Sequence, residues 1–415
     1  MAEREGPRGA RLPHLDCLRA VLVAWVIGGH ALLGYTAVGG WAYDEVNEVT
    51  FAPATELVLV AVIGPSGLFV LGVLFFIAGL LTEQTVERHG RWRYVRDRVV
   101  RLGLPWLVSA ALVWPASVWL AYTAAGRHVS FWWVLTHRDP PLDSGALWFA
   151  LVLLLFSVAF ALARRPPRRG GRTLTGWHVA AAVALIALSS FAVRLVFPAR
   201  SGQIGDLHLW QWPQCLGLFL SGIAAARSGW HRHVPERVRR TCGAVAVATL
   251  VLVPVLALAL GVRDLSRDVS SYLGGWYAEA LATAAAEGLL VVAGALWLVG
   301  LAERRWPAGV SATSGWTRGA FPAFVIQGPV LMALASAARP LDVPAELKAP
   351  LVAGLGILTC FWLGRHLSIA ASTRQDPPTT ASVRSRVRRP HRGLPRSGRP
   401  WGRAVRRAGT DGEPA

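Results

Sequence analysis

Lysine is nearly missing from this 415-residue chain: Lys348 is the only one, so arginine carries almost all of the positive charge behind a formal net charge of +19. Charge of either sign is scarce. Only 16% of residues are charged and 53% are hydrophobic, whereas charged residues make up about a quarter of an ordinary soluble domain. That shortage excludes a water-soluble globular protein and places the chain in lipid. No stretch has the make-up of an additional soluble catalytic domain, and no internal repeat of the kind common in transporters is evident. Cysteine is sparse as well. Cys17, Cys215, Cys242 and Cys360 fall singly in or beside apolar segments, at no disulfide or metal-ligand spacing, so neither a structural bridge nor a bound metal is expected. No small-residue cleavage site follows the arginines of Met1 to Pro13, so the first apolar run is expected to stay as a span and not to be removed as a signal peptide.

What is there is a series of apolar segments of about the 20 residues needed to cross a bilayer. Ten are expected, over 17–38, 57–82, 102–124, 146–163, 177–197, 208–226, 242–262, 276–301, 320–338 and 348–370. Their connections alternate in charge. Arginines crowd before the first span, after the second (Arg88 to Arg101), after the fourth (Arg164 to Arg172), after the sixth (Arg227 to Arg240), after the eighth and after the tenth. The remaining loops are acidic, short or balanced, and the one over 126–145 carries the interfacial aromatics Phe131, Trp132 and Trp133. This alternation predicts an all-α, polytopic integral membrane protein of about ten transmembrane helices with both termini cytoplasmic. Arginines clustered between apolar segments mark the cytoplasmic side, which also removes the reason to expect a nucleic-acid partner. Residues 1–14 form a cytoplasmic lead-in and 15–371 the membrane domain. The Arg- and Pro-rich tail over 372–415 has too little apolar content for a core and is expected to be disordered, with arginines suited to anionic lipid.

Against that background the first span stands out. Leu15-Asp16-Cys17-Leu18-Arg19-Ala20 opens it and His30 lies within it, eleven residues after Arg19. Eleven residues are about three turns of helix, so the guanidinium and the imidazole share one face. Titratable groups inside a bilayer are costly and usually face a protein interior or a wet cavity, which makes the face a candidate functional site. The plainer reading has Arg19 reaching back to the headgroups and His30 hydrogen-bonded in the core. Arg98 and Arg101, at i and i+3 before Pro105, either orient the chain against anionic lipid or hold a phosphate, which the guanidinium fork binds in bidentate fashion. Trp148, in Leu147-Trp148-Phe149, is an interfacial anchor or a platform for substrate. Glu287, near mid-span in the eighth segment, is a candidate orienter of His30; the commoner arrangement for a membrane carboxylate is a local partner such as Arg194. Gly64-Pro65-Ser66-Gly67 interrupts the second span in the manner of a transporter's broken helix.

In this order the motifs resemble the membrane-bound acyltransferase-3 family. Its first span reads like Leu-Asp-Gly-Leu-Arg-Gly followed by a His, as Leu15 to Ala20 and His30 do here. Phe75 to Leu81 is similar to its Phe-Phe-x-Ser-Gly-Phe-Leu, Arg98, Arg101 and Pro105 to its Arg-x-x-Arg-Leu-x-x-Pro, Leu147 to Phe149 to its Leu-Trp-Phe, and Phe324 to Pro329 to a late Tyr-x-x-His-x-Pro. Cys17 and Ala20 replace glycines, Ala78 a serine, and Gln327 the late histidine. The resemblance implies an O-acyltransferase moving an acyl group, commonly acetyl, from cytoplasmic acyl-CoA to a hydroxyl of an extracytoplasmic carbohydrate or similar acceptor, with acyl-CoA as co-substrate and no resident cofactor. It implies His30 as general base, with Asp16, Arg19, Arg98, Arg101, Trp148 and Glu287 about the substrates. A transporter or flippase for a glycosyl or acyl carrier, using the same polar face without chemistry, is the competing expectation, and a purely structural membrane protein is a third.

Overall fold

Backbone polar groups have no water to bond inside hydrocarbon, so apolar segments of this length satisfy themselves as helices. The computed structural model bears this out. It describes residues 13–163, 175–201, 204–229, 234–259, 270–306 and 315–375, and among them there are helices and no strands. The long helices are α1 (Pro13–Leu33), α2 (Pro53–His89), α3 (Arg91–Ala124), α4 (Trp148–Ala163), α5 (Gly176–Arg194), α6 (Trp212–Ser228), α7 (Glu236–Ala259), α8 (Ala278–Arg305), α9 (Gly315–Ala338) and α10 (Ala345–Ile369). Each expected span falls on one of them.

Nine helices among the described residues are long and apolar enough to cross a membrane, against the ten expected. The exception is α6. Its 17 residues stand at the lower end of the range of about 17–25 residues that crosses a bilayer. The expected arginine clusters before α1 and between α4 and α5, and the tail beyond residue 375, lie outside the described residues.

Two further departures have local causes. The third span begins eleven residues earlier than expected and runs from Arg91 to Ala124 through two π-helical turns, Val99–Gly103 and Ser109–Val113. Each turn ends two residues before a proline, Pro105 or Pro115. A proline ring clashes with the carbonyl four residues back, and a widened turn at that carbonyl relieves the clash. The second span, by contrast, does not break. α2 continues through Pro65, with the Ser66 hydroxyl donating to the Ile63 carbonyl at 3.0 Å and accepting from Trp25 Nε1 at 3.2 Å.

The core sits where α1 packs against α2, α8 and α9. α5 and α7 lie on the outside and present rows of exposed leucines and valines. α2 crosses α6 at its closest where Gly79 meets Gly222. A Cβ on Gly79 would fall on the Phe219 carbonyl oxygen, and one on Gly222 on that of Phe76. Gly79, within one of the family-like motifs, thus has a structural reason, since small residues let membrane helices approach closely. Gly79→Leu is expected to lower stability by about 1–3 kcal/mol through overpacking. Thermal melting in detergent checks this, and a variant that melts with the wild type would contradict the crossing.

Candidate active site

The site is built around the C-terminal third of α1. After Leu33 the chain leaves the helix, and Gly39 and Gly40 take φ values of +79° and +129° that other residues rarely adopt. The chain thereby turns back and lays Trp41 on the His30 ring, with centroids 4.2 Å apart and planes at 12°. The segment after Trp41 is pinned. Glu48 accepts from the Tyr43 hydroxyl at 2.8 Å and pairs with Lys348 at 2.7 Å and Arg339 at 3.3 Å. The protein's single lysine is therefore an almost fully buried fastener between this segment and α10.

On its other side His30 meets α9. Its Nδ1 lies 3.0 Å from Gln327 Oε1, and Gln327 Nε2 donates to the Phe324 carbonyl at 3.0 Å. That second bond decides the first. With its NH2 committed to a carbonyl, Gln327 presents its oxygen to His30, and an oxygen only accepts. Nδ1 therefore carries the proton in neutral His30, and Nε2 keeps a free lone pair. His30 is half-buried, and its contacts are with Trp41 and α9 inside the protein.

The orienter expected at Glu287 is elsewhere. Glu287 and Arg194 form a buried ion pair joining α8 to α5, with Ser190 Oγ donating to Glu287 at 3.3 Å. Arg194 also lies over the Trp210 ring, 5.2 Å from its centroid. Depth along the membrane made Glu287 plausible. The carboxylate instead found the nearest cation, as a charge must in an apolar interior.

At the other end of α1, about 16 Å away at about 1.5 Å per residue, Arg19 pairs with Asp16 at 3.3 Å and remains about one-third exposed. Its Nε is buried without a partner among the described residues. A guanidinium with one weak ion pair and an unsatisfied N–H is suited to an anionic group. Arg98 lies over the Tyr94 ring at 5.0 Å, and Arg101 is exposed. The π-helical turn between them takes the two out of the i, i+3 register of a regular α-helix, so the shared face expected from spacing is altered.

Trp148 is buried and stacks on His208 at 4.6 Å and 19°. It is a wall of the site, and Trp132 and Trp133, exposed on the short helix Phe131–His137, fit the part of interfacial anchors instead. Next to Trp148, the Phe149 ring packs 5.4 Å from Phe324, whose carbonyl holds Gln327. Trp41 leans edge-on against Trp114 at 5.0 Å, and Trp114 Nε1 donates to Asp143 at 2.6 Å. Arg138 closes this side, bridging Asp143 at 2.5 Å and Glu45 at 2.6 Å.

Sequence reasoning singled out His30, Arg19, Asp16 and Trp148 and missed Trp41 and His208. Gln327 was visible only as a lost histidine. The structure brings His30, Gln327, Trp41 and Trp148 to one end of the bundle and Arg19 with Asp16 to the other.

An all-helical chain whose described residues include nine apolar helices long enough to cross a membrane, with an imidazole held through Nδ1 on its first helix, has the makings of a membrane-embedded transfer enzyme. The profile of a family described as an acyltransferase domain matches residues 12–365, nearly the whole chain. The chain belongs to that acyltransferase-3 family and is an integral-membrane acyltransferase. No curated protein matches it.

Proposed function

We propose that the protein is an O-acyltransferase that moves an acetyl or similar acyl group from acyl-CoA to a hydroxyl of a carbohydrate or related acceptor across the cell membrane. In this reading both termini are cytoplasmic, acyl-CoA arrives from the Arg19 side, and the acceptor arrives from the side of Trp41 and Trp148. The observation that carries the reading is the pinned imidazole, with His30 Nδ1 on Gln327 Oε1 at 3.0 Å and the ring flat on Trp41. Nε2 of His30 takes the proton of the acceptor hydroxyl as its oxygen attacks the thioester carbonyl. When the C–S bond breaks, the same nitrogen returns the proton to the departing thiolate. Gln327 holds the ring orientation and tautomer throughout. Arg19, and in a lesser part Arg98 and Arg101, bind the phosphates of the donor. A pantetheine arm spans the distance from Arg19 to His30. Acyl-CoA is a co-substrate, and no resident cofactor has a role.

The transporter alternative rested on a broken second span, and α2 is continuous through Pro65. Purified protein given radiolabelled acetyl-CoA and an extract of the host's envelope is expected to release CoA and to move label into the extract. A protein that does neither is not this enzyme. Gln327→Met, which keeps the volume and removes the acceptor oxygen, is expected to slow transfer by about 10- to 100-fold through loss of the tautomer while leaving folded yield near wild type. Unchanged turnover in Gln327→Met would remove the amide from the mechanism.

A further inference from the structure

The late histidine of the family-like motif is absent here, yet a second imidazole faces the same region from a segment that no motif marks. His208 lies just before α6. Its ring is held in the same fashion as that of His30: each imidazole stacks on an indole, His30 on Trp41 and His208 on Trp148. Each is also tied through Nδ1 to an oxygen, that of Gln327 for His30 and the backbone carbonyl of Asp206, 2.6 Å away, for His208. Since a carbonyl only accepts, neutral His208 bears its proton on Nδ1 and leaves Nε2 free. The segment before His208 and the wall over His30 meet around Trp114: Gly205 N–H donates to the Pro141 carbonyl at 2.8 Å, Asp143 two residues on accepts from Trp114 Nε1 at 2.6 Å, and Trp114 leans on Trp41, which covers His30.

Three further observations set this segment apart. Asp206 and His208 both have left-handed backbones, with φ of +47° and +48°, a conformation that non-glycine residues hold only where the surroundings impose it and that clusters at functional sites. Beside them Trp210 Nε1, Gln211 Oε1 and both amide atoms of Gln214 are buried without a hydrogen-bond partner among the described residues. Such atoms call for water or a polar ligand. Burial raises the Asp206 carboxyl above its ordinary range, against the opposing pull of His208 and with Asp143 adding to the rise.

We infer that His208 is a positioning residue for the acceptor: its Nε2 accepts a hydrogen bond from a second hydroxyl of the molecule whose first hydroxyl gives its proton to His30. This inference rests on the acyltransferase reading above. Two nitrogens that each offer a lone pair call for two O–H donors on one ligand, so the site favours an acceptor with neighbouring hydroxyls, as on a sugar ring, over a simple alcohol.

The test uses full-length purified protein, radiolabelled acetyl-CoA, and envelope extract as the acceptor source. His208→Phe keeps a ring to stack on Trp148 and removes the nitrogen, and His208→Gln restores a side-chain acceptor. His208→Phe is expected to transfer label about tenfold more slowly and to need more extract for half its maximal rate, with CoA release in the absence of extract unchanged; His208→Gln recovers part of the loss. Transfer by His208→Phe at the wild-type rate and half-saturation overturns the inference. So does an equal fall in CoA release with and without extract, which makes His208 structural. If wild-type protein transfers label while His208→Phe matches it, only this inference fails; if the wild type neither transfers label nor releases CoA, the acyltransferase reading falls and takes the inference with it.

Discussion

His30→Ala is expected to abolish acyl transfer, lowering turnover by a factor of about 10²–10⁴, while the protein inserts and accumulates normally. The expectation of normal accumulation follows from what the side chain touches. His30 is half-buried, with one hydrogen bond to Gln327 and one stacked indole, contacts worth about 1 kcal/mol each. A folded membrane protein survives that loss, but in the proposed mechanism the reaction does not survive the loss of its base. CoA release and label transfer, each normalised to folded protein, separate the two effects. Near-normal transfer by His30→Ala would leave the pinned imidazole without a chemical role.

The second large effect is on stability. Glu287→Ala leaves the Arg194 guanidinium, 3% exposed, without its carboxylate. Removing one partner of a buried pair costs about 3–5 kcal/mol, whereas replacing both by apolar groups is often neutral. Glu287→Ala is therefore expected to lose most of its folded yield, and the double substitution Arg194→Met with Glu287→Met to recover it. Size-exclusion profiles in detergent read both. A Glu287→Ala protein that folds normally but no longer transfers label would instead give this carboxylate the part at the reaction centre that its contacts assign to Gln327.

What could be read from the chain and what could not divides along contact range. The helical spans and the shared face of Arg19 and His30 follow from apolar length and the 3.6-residue period, which are local properties. The partner of His30 is not local: Gln327 lies 297 residues away, and nothing in the spacing of either motif says that α1 packs on α9. Its identity was in plain view as the residue in place of a histidine, and the amide turned out to hold the imidazole. Trp41 was hidden for a different reason. Its place over His30 depends on the reversal at Gly39 and Gly40, and periodicity carried the first span to residue 38, five residues past the true end of α1. The sixth helix starts at Trp212, four residues later than expected, because the apolar residues before it lie in a loop that holds His208. Lys348 was conspicuous as the only lysine, but its burial against Glu48 required the fold.

The central physical claim is that the protein fixes His30 as the Nδ1-protonated neutral tautomer and so leaves Nε2 to act as base. Nitrogen NMR of protein labelled in histidine tests it directly, with the signals that vanish in His30→Ala assigned to His30. At neutral pH the account predicts a protonated Nδ1 and a pyridine-like Nε2. The opposite tautomer, or an imidazolium protonated on both nitrogens, would contradict it.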